Sequence, residues 1–344
     1  MKAVVKTRKG VGFIEVRDVP EPKAAPGEVK IKIAACGVCG TDIHVRHDRF
    51  PYWPPVILGH EFTGTIVELG SGCQYYKVGE RVVAEPHTRA CGQCHLCRTG
   101  HVEICPQKRS PGWGIDGAMT EYICYPEQLL HRIPEQMTWD QAAVVEPTAN
   151  AVTDVLLRTG VVAGDFVVIQ GPGPIGLLAA LVARAAGARE VAIIGAPGDV
   201  ELRLATARKL GFTQVINMAE TDPVAAVLDL TGGIGADVVV ECSGSPKAIP
   251  VTADLVRKKG KICAIGLTGG RPVELPWDKF AFKVVDVMFS LSTEYQAWDR
   301  TIHLIASGQV PAERIITHRE PLDRWERVFD EIENLRALKA LLVP

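Results

Sequence analysis

The chain has 344 residues, of which 47% are hydrophobic and 23% charged, and it carries a net charge of −2. This length exceeds what one hydrophobic core usually fills, so we expect two domains. The composition is that of a globular protein, and the near-neutral charge without a basic block argues against nucleic acid as a general partner.

The N-terminal segment MKAVVKTRKG lacks the apolar core of a signal peptide, and no apolar run approaches the length of a membrane span. Six of the ten cysteines are scattered along the chain, as is usual for thiols in a reducing compartment. We therefore predict a cytoplasmic protein with no membrane partner.

Residues 1 to about 150 contain short alternating segments such as VVKTRK, GFIEVRDV and EVKIKIAA, separated by turns rich in Gly and Pro. Alternation with a period of two predicts strands with one buried face. The first part of the chain is therefore predicted to be a β-rich, Greek-key-like domain.

Four cysteines lie close together within this first part of the chain, at Cys91, Cys94, Cys97 and Cys105. Four thiolates at short spacing complete the tetrahedral coordination that Zn²⁺ prefers, and such a site leaves no position open for catalysis. An iron–sulfur cluster is the alternative, but a ferredoxin motif places its fourth cysteine after three residues, and here seven intervene. The pattern favours a structural zinc that holds a loop.

From about residue 164 the pattern changes to alternating strands and helices. The segment DFVVIQG precedes PIGLLAALVARAAGA, and the further apolar runs EVAIIG, DVVVECSG and KICAIGL follow. Continuous apolar runs that alternate with helical segments predict a doubly wound parallel sheet covered on both faces.

A glycine-rich turn joins the first strand of this sheet to its first helix. Its residues are Gly171, Gly173, Pro174, Ile175 and Gly176. Glycines at this place let the backbone approach a pyrophosphate, which then rests on the positive N-terminal end of the helix. The context of strand, turn and helix predicts a dinucleotide cofactor.

The sequence resembles the zinc-dependent medium-chain dehydrogenase/reductase family from end to end. The resemblance rests on Cys39-Gly-Thr-Asp, Gly59-His60-Glu61, the four-cysteine segment, the Gly171–Gly176 turn and Glu146-Pro147. It implies an α/β protein with a GroES-like β-rich catalytic domain at 1–150, completed by 293–344, and a Rossmann domain at 151–292.

The resemblance also implies a second, catalytic zinc. The matching positions make Cys39, His60 and Glu146 its ligands, and Glu61 binds it directly or through water. Such an open site lowers the pKa of a bound hydroxyl. Further matching positions imply that Thr41 takes the alcohol proton, that His44 passes it to solvent, and that Asp42 orients the His60 ring. Cys36 is interpreted as buried packing.

The remaining cofactor contacts are expected at the carboxyl ends of the parallel strands. This expectation covers Ser243, Ile265, Gly266, Leu267, Ser290 and Leu291. After the second strand, Asp199 is placed to bind the ribose hydroxyls of NAD, whereas Arg203 is placed to meet the 2′-phosphate of NADP. We expect NAD, with NADP as the alternative.

Glu146 and the segment Ile316–Arg319 resemble the sorbitol and L-threonine 3-dehydrogenase branches. We expect oxidation of a secondary alcohol of a polyol, sugar alcohol or cyclitol to the ketone, with L-threonine as the alternative substrate. His87 resembles a histidine near the threonine dehydrogenase cleft if one gap is allowed. A relative that binds NAD(P) without catalysis is the alternative from another class. The resemblance further implies a homodimer or homotetramer formed through the strand near 284–291.

Overall fold

A computed structural model describes all 344 residues, which form two compact units. The first unit contains Met1–Glu146, Thr293–Ala306 and Ile316–Pro344, and the second contains Pro147–Ser292 and Ser307–Ile315. The division differs from the predicted one in two places. It falls at Glu146 instead of residue 150, and residues 307–315, which we expected in the first unit, pack with the second.

The regular elements, in chain order, begin with β1 (Lys2–Lys6), β2 (Ile14–Asp18), β3 (Glu28–Gly37), α1 (Gly40–Arg46), β4 (Val56–Ile57), β5 (Glu61–Leu69), β6 (Arg81–Ala84), α2 (His95–Arg98), β7 (Tyr122–Pro126), β8 (Leu130–Arg132), α3 (Trp139–Ala143) and α4 (Val145–Val152). The chain continues with β9 (Phe166–Gln170), α5 (Pro174–Ala185), β10 (Glu190–Gly195), α6 (Ala205–Lys209), β11 (Gln214–Asn217), α7 (Pro223–Leu230), β12 (Ala236–Glu241), α8 (Thr252–Leu255), β13 (Val256–Ala264), α9 (Trp277–Lys283) and β14 (Asp286–Phe289). It ends with α10 (Tyr295–Ala306), β15 (Ile316–Pro321), α11 (Trp325–Glu333) and β16 (Lys339–Val343).

The first unit is built on two sheets of mainly antiparallel strands. One has the order β2-β1-β4, and the larger has the order β15-β16-β3-β5-β6-β8, with β7 also paired to β3. The long strand β3 pairs with β5 so that Gly37 lies opposite Glu61. Ile31, Phe62, Ile66 and Tyr125 are buried in its core. The predicted β-rich domain is confirmed.

The second unit contains one parallel sheet of six strands in the order β11-β10-β9-β12-β13-β14. This is the strand order of dinucleotide-binding folds, in which the order reverses between the first and fourth strands. The sheet core contains Phe166, Val168, Ile194 and Val239, all buried because helices cover both faces. The predicted Rossmann architecture is confirmed.

None of the helices has the length and apolar composition that a membrane crossing requires.

Candidate active site

Cys39, His60 and Glu61 come together in the first unit. Each offers one ligand atom, and these atoms all lie within 4.8 Å of one another. Cys39 is the N-cap residue of α1, two residues after the end of β3, whereas Glu61 begins β5, which pairs with β3. The strand pairing therefore brings residues 21 and 22 positions apart into one cluster.

Two glycines make room for this cluster. A Cβ on Gly37 would lie 2.2 Å from Glu61 Oε2, so only glycine leaves space for the carboxylate. Gly59 has φ +91°, and a Cβ there would lie 2.5 Å from Cys36 Sγ. Glycine is thus required directly before His60, where the chain turns into β5.

The electrostatics of the cluster suit a cation. Burial is the largest single influence and acts to lower the pKa of His60, but Cys39, Asp42 and Glu146 together outweigh it and raise the pKa to about 10. The Nδ1 atom of His60 is buried and has no hydrogen-bond partner. A sulfur, an imidazole nitrogen and a carboxylate are the donor types of catalytic zinc sites, so these residues fit the metal.

Glu146 lies outside the group of three but close enough to act on it. It is buried, and its negative charge contributes to the raised pKa of both His60 and Lys339. The structure thus brings Cys39, His60 and Glu61 into ligand distance and leaves Glu146 at the margin of the cluster.

Lys339, which the sequence analysis missed, is the buried partner of Glu61. Its Nζ forms an ion pair with Glu61 Oε2 and donates a hydrogen bond to the carbonyl oxygen of Val38 at 3.0 Å. Burial acts to lower the pKa of Lys339, but Glu61, Cys39 and Glu146 together outweigh it, and the pKa is raised. No local pattern marks this lysine, because it belongs to the last strand, 278 positions after Glu61.

Asp42 is placed differently from the prediction. Its two carboxylate oxygens accept hydrogen bonds from the backbone N–H of Cys39 at 2.9 Å and of Gly59 at 3.3 Å. Asp42 therefore fixes the two backbone segments that carry Cys39 and His60, and it does not bind the His60 ring, whose Nδ1 stays unpaired. Its contribution to the ring is electrostatic.

Thr41 and His44 lie on α1, next to Cys39. The Thr41 hydroxyl oxygen is 3.7 Å from Cys39 Sγ. The His44 residue is exposed, but part of its ring is shielded from solvent. This shielding is the larger cause that lowers the pKa of the ring, and the positive charge of Arg49 is the second. The neutral ring is thus able to accept a proton at neutral pH.

Cys36 is fully buried, and burial raises the pKa of its thiol well above the ordinary range, which suits packing and not metal binding.

The four clustered cysteines form a second group whose sulfurs all lie within 4.8 Å of one another. Backbone N–H groups point at the sulfurs, from Cys91 to Cys105 at 3.4 Å and from Cys94 to Cys91 at 3.3 Å. The pKa of Cys105 is lowered to about 6, mainly by the hydrogen bond that its sulfur accepts from the Cys91 N–H. Burial raises the pKa of Cys97 to about 12. Four convergent sulfurs fit a closed tetrahedral zinc site.

In the second unit, the predicted glycine turn joins β9 to α5. Gly171 has φ +104°, and a Cβ there would lie 2.8 Å from the Ser243 nitrogen, while one on Gly176 would lie 2.0 Å from the Gly171 oxygen. A Cβ on Gly173 would meet nothing within 4 Å. Gly171 and Gly176 are thus required for packing, whereas Gly173 leaves open space at the start of a helix with Pro174 in its first turn. Such space fits a pyrophosphate.

The other predicted cofactor residues also lie at the carboxyl ends of strands. Ser243 follows β12 and donates through its hydroxyl to Glu241, and Gly266 follows β13, where a Cβ would lie 2.2 Å from the Gly244 nitrogen. Ile265 is half-buried, whereas Leu267 and Leu291 are exposed. Ser290, the residue after β14, has a buried hydroxyl.

Asp199 and Arg203 bind each other after β10. Arg203 Nη1 lies 3.0 Å from Asp199 Oδ1, and Asp199 Oδ2 accepts the backbone N–H of Ala196 at 2.9 Å. Both oxygens of Asp199 are therefore engaged within the chain.

The family models agree with this geometry. Residues 25–135 match the alcohol dehydrogenase GroES-like domain, and residues 174–307 match the zinc-binding dehydrogenase model. The sorbitol dehydrogenase of Halalkalibacterium halodurans is 38% identical over 344 residues, which cover 100% of this chain and 99% of that protein. The chain belongs to the zinc-dependent medium-chain dehydrogenase/reductase family.

Two further relatives support this assignment. The L-threonine 3-dehydrogenase of Pyrococcus horikoshii is 36% identical and covers 96% of this chain and 94% of that protein. A protein from Sinorhizobium meliloti 1021, described as a zinc-binding dehydrogenase and solved with NADP bound, superposes with a TM-score of 0.91 at 32% identity, over 100% and 99% of the two chains. The chain is thus an NAD(P)-dependent alcohol or polyol dehydrogenase of the zinc type, as the sequence predicted.

Proposed function

We propose that this dehydrogenase oxidises a secondary alcohol of a polyol, sugar alcohol or cyclitol to the ketone, with NAD⁺ as hydride acceptor. The observation that carries the proposal is the cluster of Cys39, His60 and Glu61, with Glu146 at its margin. One thiolate, one imidazole and one carboxylate as direct ligands leave a coordination position open, which distinguishes a catalytic zinc site from a structural one.

Zinc held by these residues would lower the pKa of the substrate hydroxyl toward neutrality. The chain's own part is to hold the metal and to remove the proton. Thr41 lies next to Cys39 Sγ and takes the proton of the alcohol, and the exposed, neutral His44 passes it to solvent.

Two carboxylates are available to hold the zinc. Glu61 lies within ligand distance of Cys39 and His60, although Lys339 holds one of its oxygens in an ion pair, and Glu146 lies at the margin of the cluster. One of the two would bind the metal directly and the other through water.

His87 supports a substrate with several hydroxyls. Its Nε2 lies 2.8 Å from the carbonyl oxygen of Thr293, which only accepts, so Nε2 carries the proton and Nδ1 presents a bare lone pair. That Nδ1 is buried without a partner, and burial, with a contribution from Lys108, lowers the pKa of His87 to about 3. The ring therefore stays neutral, and its Nδ1 is able to accept a hydrogen bond from a hydroxyl group.

Three aromatic rings and one arginine form a surface that suits the face of a carbon chain or a cyclitol. Trp113 contacts Phe50 edge-on at 5.3 Å between ring centroids and Trp53 at 6.1 Å, and the Arg109 guanidinium lies 3.9 Å over Trp53. The segment packs beside the metal cluster, because a Cβ on Gly112 would lie 2.8 Å from the Gly59 nitrogen. Apolar C–H faces stack on such rings.

L-Threonine is the second candidate, since an L-threonine 3-dehydrogenase is among the relatives and an ammonium group also donates to a bare imidazole nitrogen. A carboxylate anchor is the difficulty. Arg109 Nη1 already donates to the carbonyl oxygens of Gln107 and Lys108, and Lys108 Nζ donates to that of Glu103 at 2.6 Å.

We propose NAD as the preferred cofactor. The Asp199 carboxylate compensates the charge of Arg203, so this arginine is a poor partner for the 2′-phosphate of NADP. NADP stays the alternative, as the Sinorhizobium meliloti structure was solved with it. Per chain we propose two zinc ions, one at the cluster of Cys39 and one at Cys91, Cys94, Cys97 and Cys105.

The proposed assembly is a homodimer or homotetramer formed through β14. This strand is the outer edge of its sheet, and large apolar side chains are exposed around it, including Trp277 (74% exposed), Phe282 (80%) and Phe289 (75%). An apolar cavity of ≈ 690 Å³ lies beneath, lined in part by Phe280 and Val285. Exposed sheet edges pair readily with another chain, and large exposed apolar patches mark interaction sites.

The test of function is a panel of D-sorbitol, D-arabitol, myo-inositol and L-threonine, each with NAD⁺ and NADP⁺, followed by absorbance of the reduced nicotinamide. We expect turnover of at least one polyol or cyclitol with NAD⁺ and its loss in His60→Ala, while His95→Ala, in the exposed α2, keeps it. Turnover of L-threonine alone would refute the polyol. Absence of all turnover, with cofactor bound, would favour a non-catalytic relative.

A further inference from the structure

The second unit contains a buried acid that the proposed reaction does not use. Asp154 is 2% exposed and belongs to a π-helical turn, Thr153–Arg158, directly after α4. Its Oδ2 atom is buried and has no hydrogen-bond partner. A buried, incompletely paired carboxyl group is costly, and π-helical turns occur frequently at functional sites, so a role is expected.

The turn that carries Asp154 contacts the end of β14 at two adjacent residues, Phe289 and Ser290. The Ser290 hydroxyl acts on the Asp154 carboxyl and favours its ionised form, although Ser290 Oγ and Asp154 Oδ2 are both buried without a hydrogen-bond partner. Arg158 Nη2 donates to the carbonyl oxygen of Phe289 at 2.9 Å. The acid–hydroxyl contact is therefore present but loose.

The neighbouring strands fix where this contact lies. Cys263, near the end of β13, places its Sγ 3.7 Å from the Asp154 carbonyl oxygen, and the charge of Asp154 acts on Cys242, directly after β12. The acid thus lies below the carboxyl ends of β12, β13 and β14, which is the edge where parallel sheets of this order bind their cofactor.

We propose that Asp154 is a positioning residue for the cofactor, and that its carboxylate acts through the Ser290 hydroxyl to hold the end of β14 in the shape that binds NAD(P). This inference rests on the proposed cofactor site. Cofactor binding closes the loose contact, the Ser290 hydroxyl then donates fully to the carboxylate, and the ionised form of Asp154 is favoured.

The proton of Asp154 makes this coupling measurable. Burial raises the pKa of Asp154 to about 7, with Ser290 and then Arg158 opposing the rise. The other titratable groups that face it are the thiols of Cys242 and Cys263. Burial raises the pKa of Cys242 well above its usual range and that of Cys263 to about 11, so both stay neutral. Asp154 is then the group of this cluster that changes charge near neutral pH.

Because the ionised form is favoured with cofactor bound, linkage requires that affinity rise with pH. If only that form binds, the apparent Kd of NAD⁺ increases about tenfold from about pH 8 to about pH 6. Asp154→Asn keeps the shape and one acceptor for Ser290 but has no proton to lose. We expect its Kd to be flat over this range and weaker than that of the wild type at the alkaline end.

The experiment is calorimetric titration of the zinc-loaded protein with NAD⁺ across this pH range, in two buffers of different ionisation enthalpy to count released protons. Ser290→Ala is the second variant, and it should also lose the pH step. Asp165→Asn, which alters an acid bonded to the Val162 N–H, should keep the wild-type profile.

A wild-type pH step that persists in Asp154→Asn, or in Ser290→Ala, would overturn the inference while leaving the proposed function intact. If the wild type binds neither NAD⁺ nor NADP⁺ at any pH, the proposed cofactor and this inference fail together.

Discussion

The stability of the cofactor-free protein should depend on the proton of Asp154. In the folded chain, burial raises the pKa of this carboxyl from its ordinary value of 3.8 to about 7. A raised pKa means that the folded state holds the proton more tightly than the unfolded state. The contribution to stability is then fully present below the ordinary value and is lost as pH rises through the folded value.

The size of the effect follows from the shift. Each unit is worth about 1.4 kcal/mol, so the full difference between acid and alkaline limits is about 4 kcal/mol. Strong acid would protonate the metal ligands, so the practical window runs from about pH 5.5 to about pH 8, over which the loss is about 2 kcal/mol. Asp154→Asn has no such pH-dependent contribution, because its side chain does not titrate.

The assay is urea unfolding of wild type and Asp154→Asn at several pH values, with zinc and without cofactor. We expect the free energy of unfolding of the wild type, relative to the variant, to fall by about 2 kcal/mol across the window. Subtraction of the variant removes the shared contribution of the other acids and histidines. A difference that stays constant with pH, or that rises with pH, would refute the reasoning.

Two further predictions concern the glycine turn and the buried ion pair. Gly173→Ala should leave the melting temperature unchanged but weaken NAD⁺ binding about tenfold in a titration. Gly176→Ala should instead destabilise the fold by about 1–3 kcal/mol, because its Cβ would lie 2.0 Å from the Gly171 oxygen. Equal effects of the two substitutions on binding and on stability would contradict the assigned roles. Lys339→Met leaves the buried Glu61 unpaired and should cost the metal-free protein about 3–5 kcal/mol in urea unfolding, less with zinc bound. The exposed Lys279→Met, which removes a surface pair with Asp254, should cost less than about 1 kcal/mol, and a similar loss in both would argue against a buried charge at Glu61.

The cofactor-binding unit was predictable in detail because its signals are local. Each strand is itself an apolar run, and the Gly171–Gly176 turn lies between a strand and a helix. The alternation of such strands with helices predicts the parallel sheet. Residues 307–315 group with the second unit through contacts far away in sequence, which no local pattern predicts.

The metal site was predictable only through family resemblance. Cys39, His60 and Glu61 lie on separate segments, and the pairing of β3 with β5 that unites them has no local signature. Lys339 was missed because a lysine in a C-terminal strand reads as solvent-exposed, and here it is 2% exposed against Glu61. The π-helical turn with Asp154 was also missed, because a single acid in an otherwise ordinary helical pattern gives no signal of burial.

The most direct test of the account is the zinc content of the purified protein and of Cys39→Ser, measured by mass spectrometry of the metal. We predict close to two zinc ions per chain in the wild type and close to one in the variant, because the four-cysteine group keeps its metal when the open site is lost. One zinc in the wild type, or two in Cys39→Ser, would contradict a catalytic zinc held by Cys39 and His60.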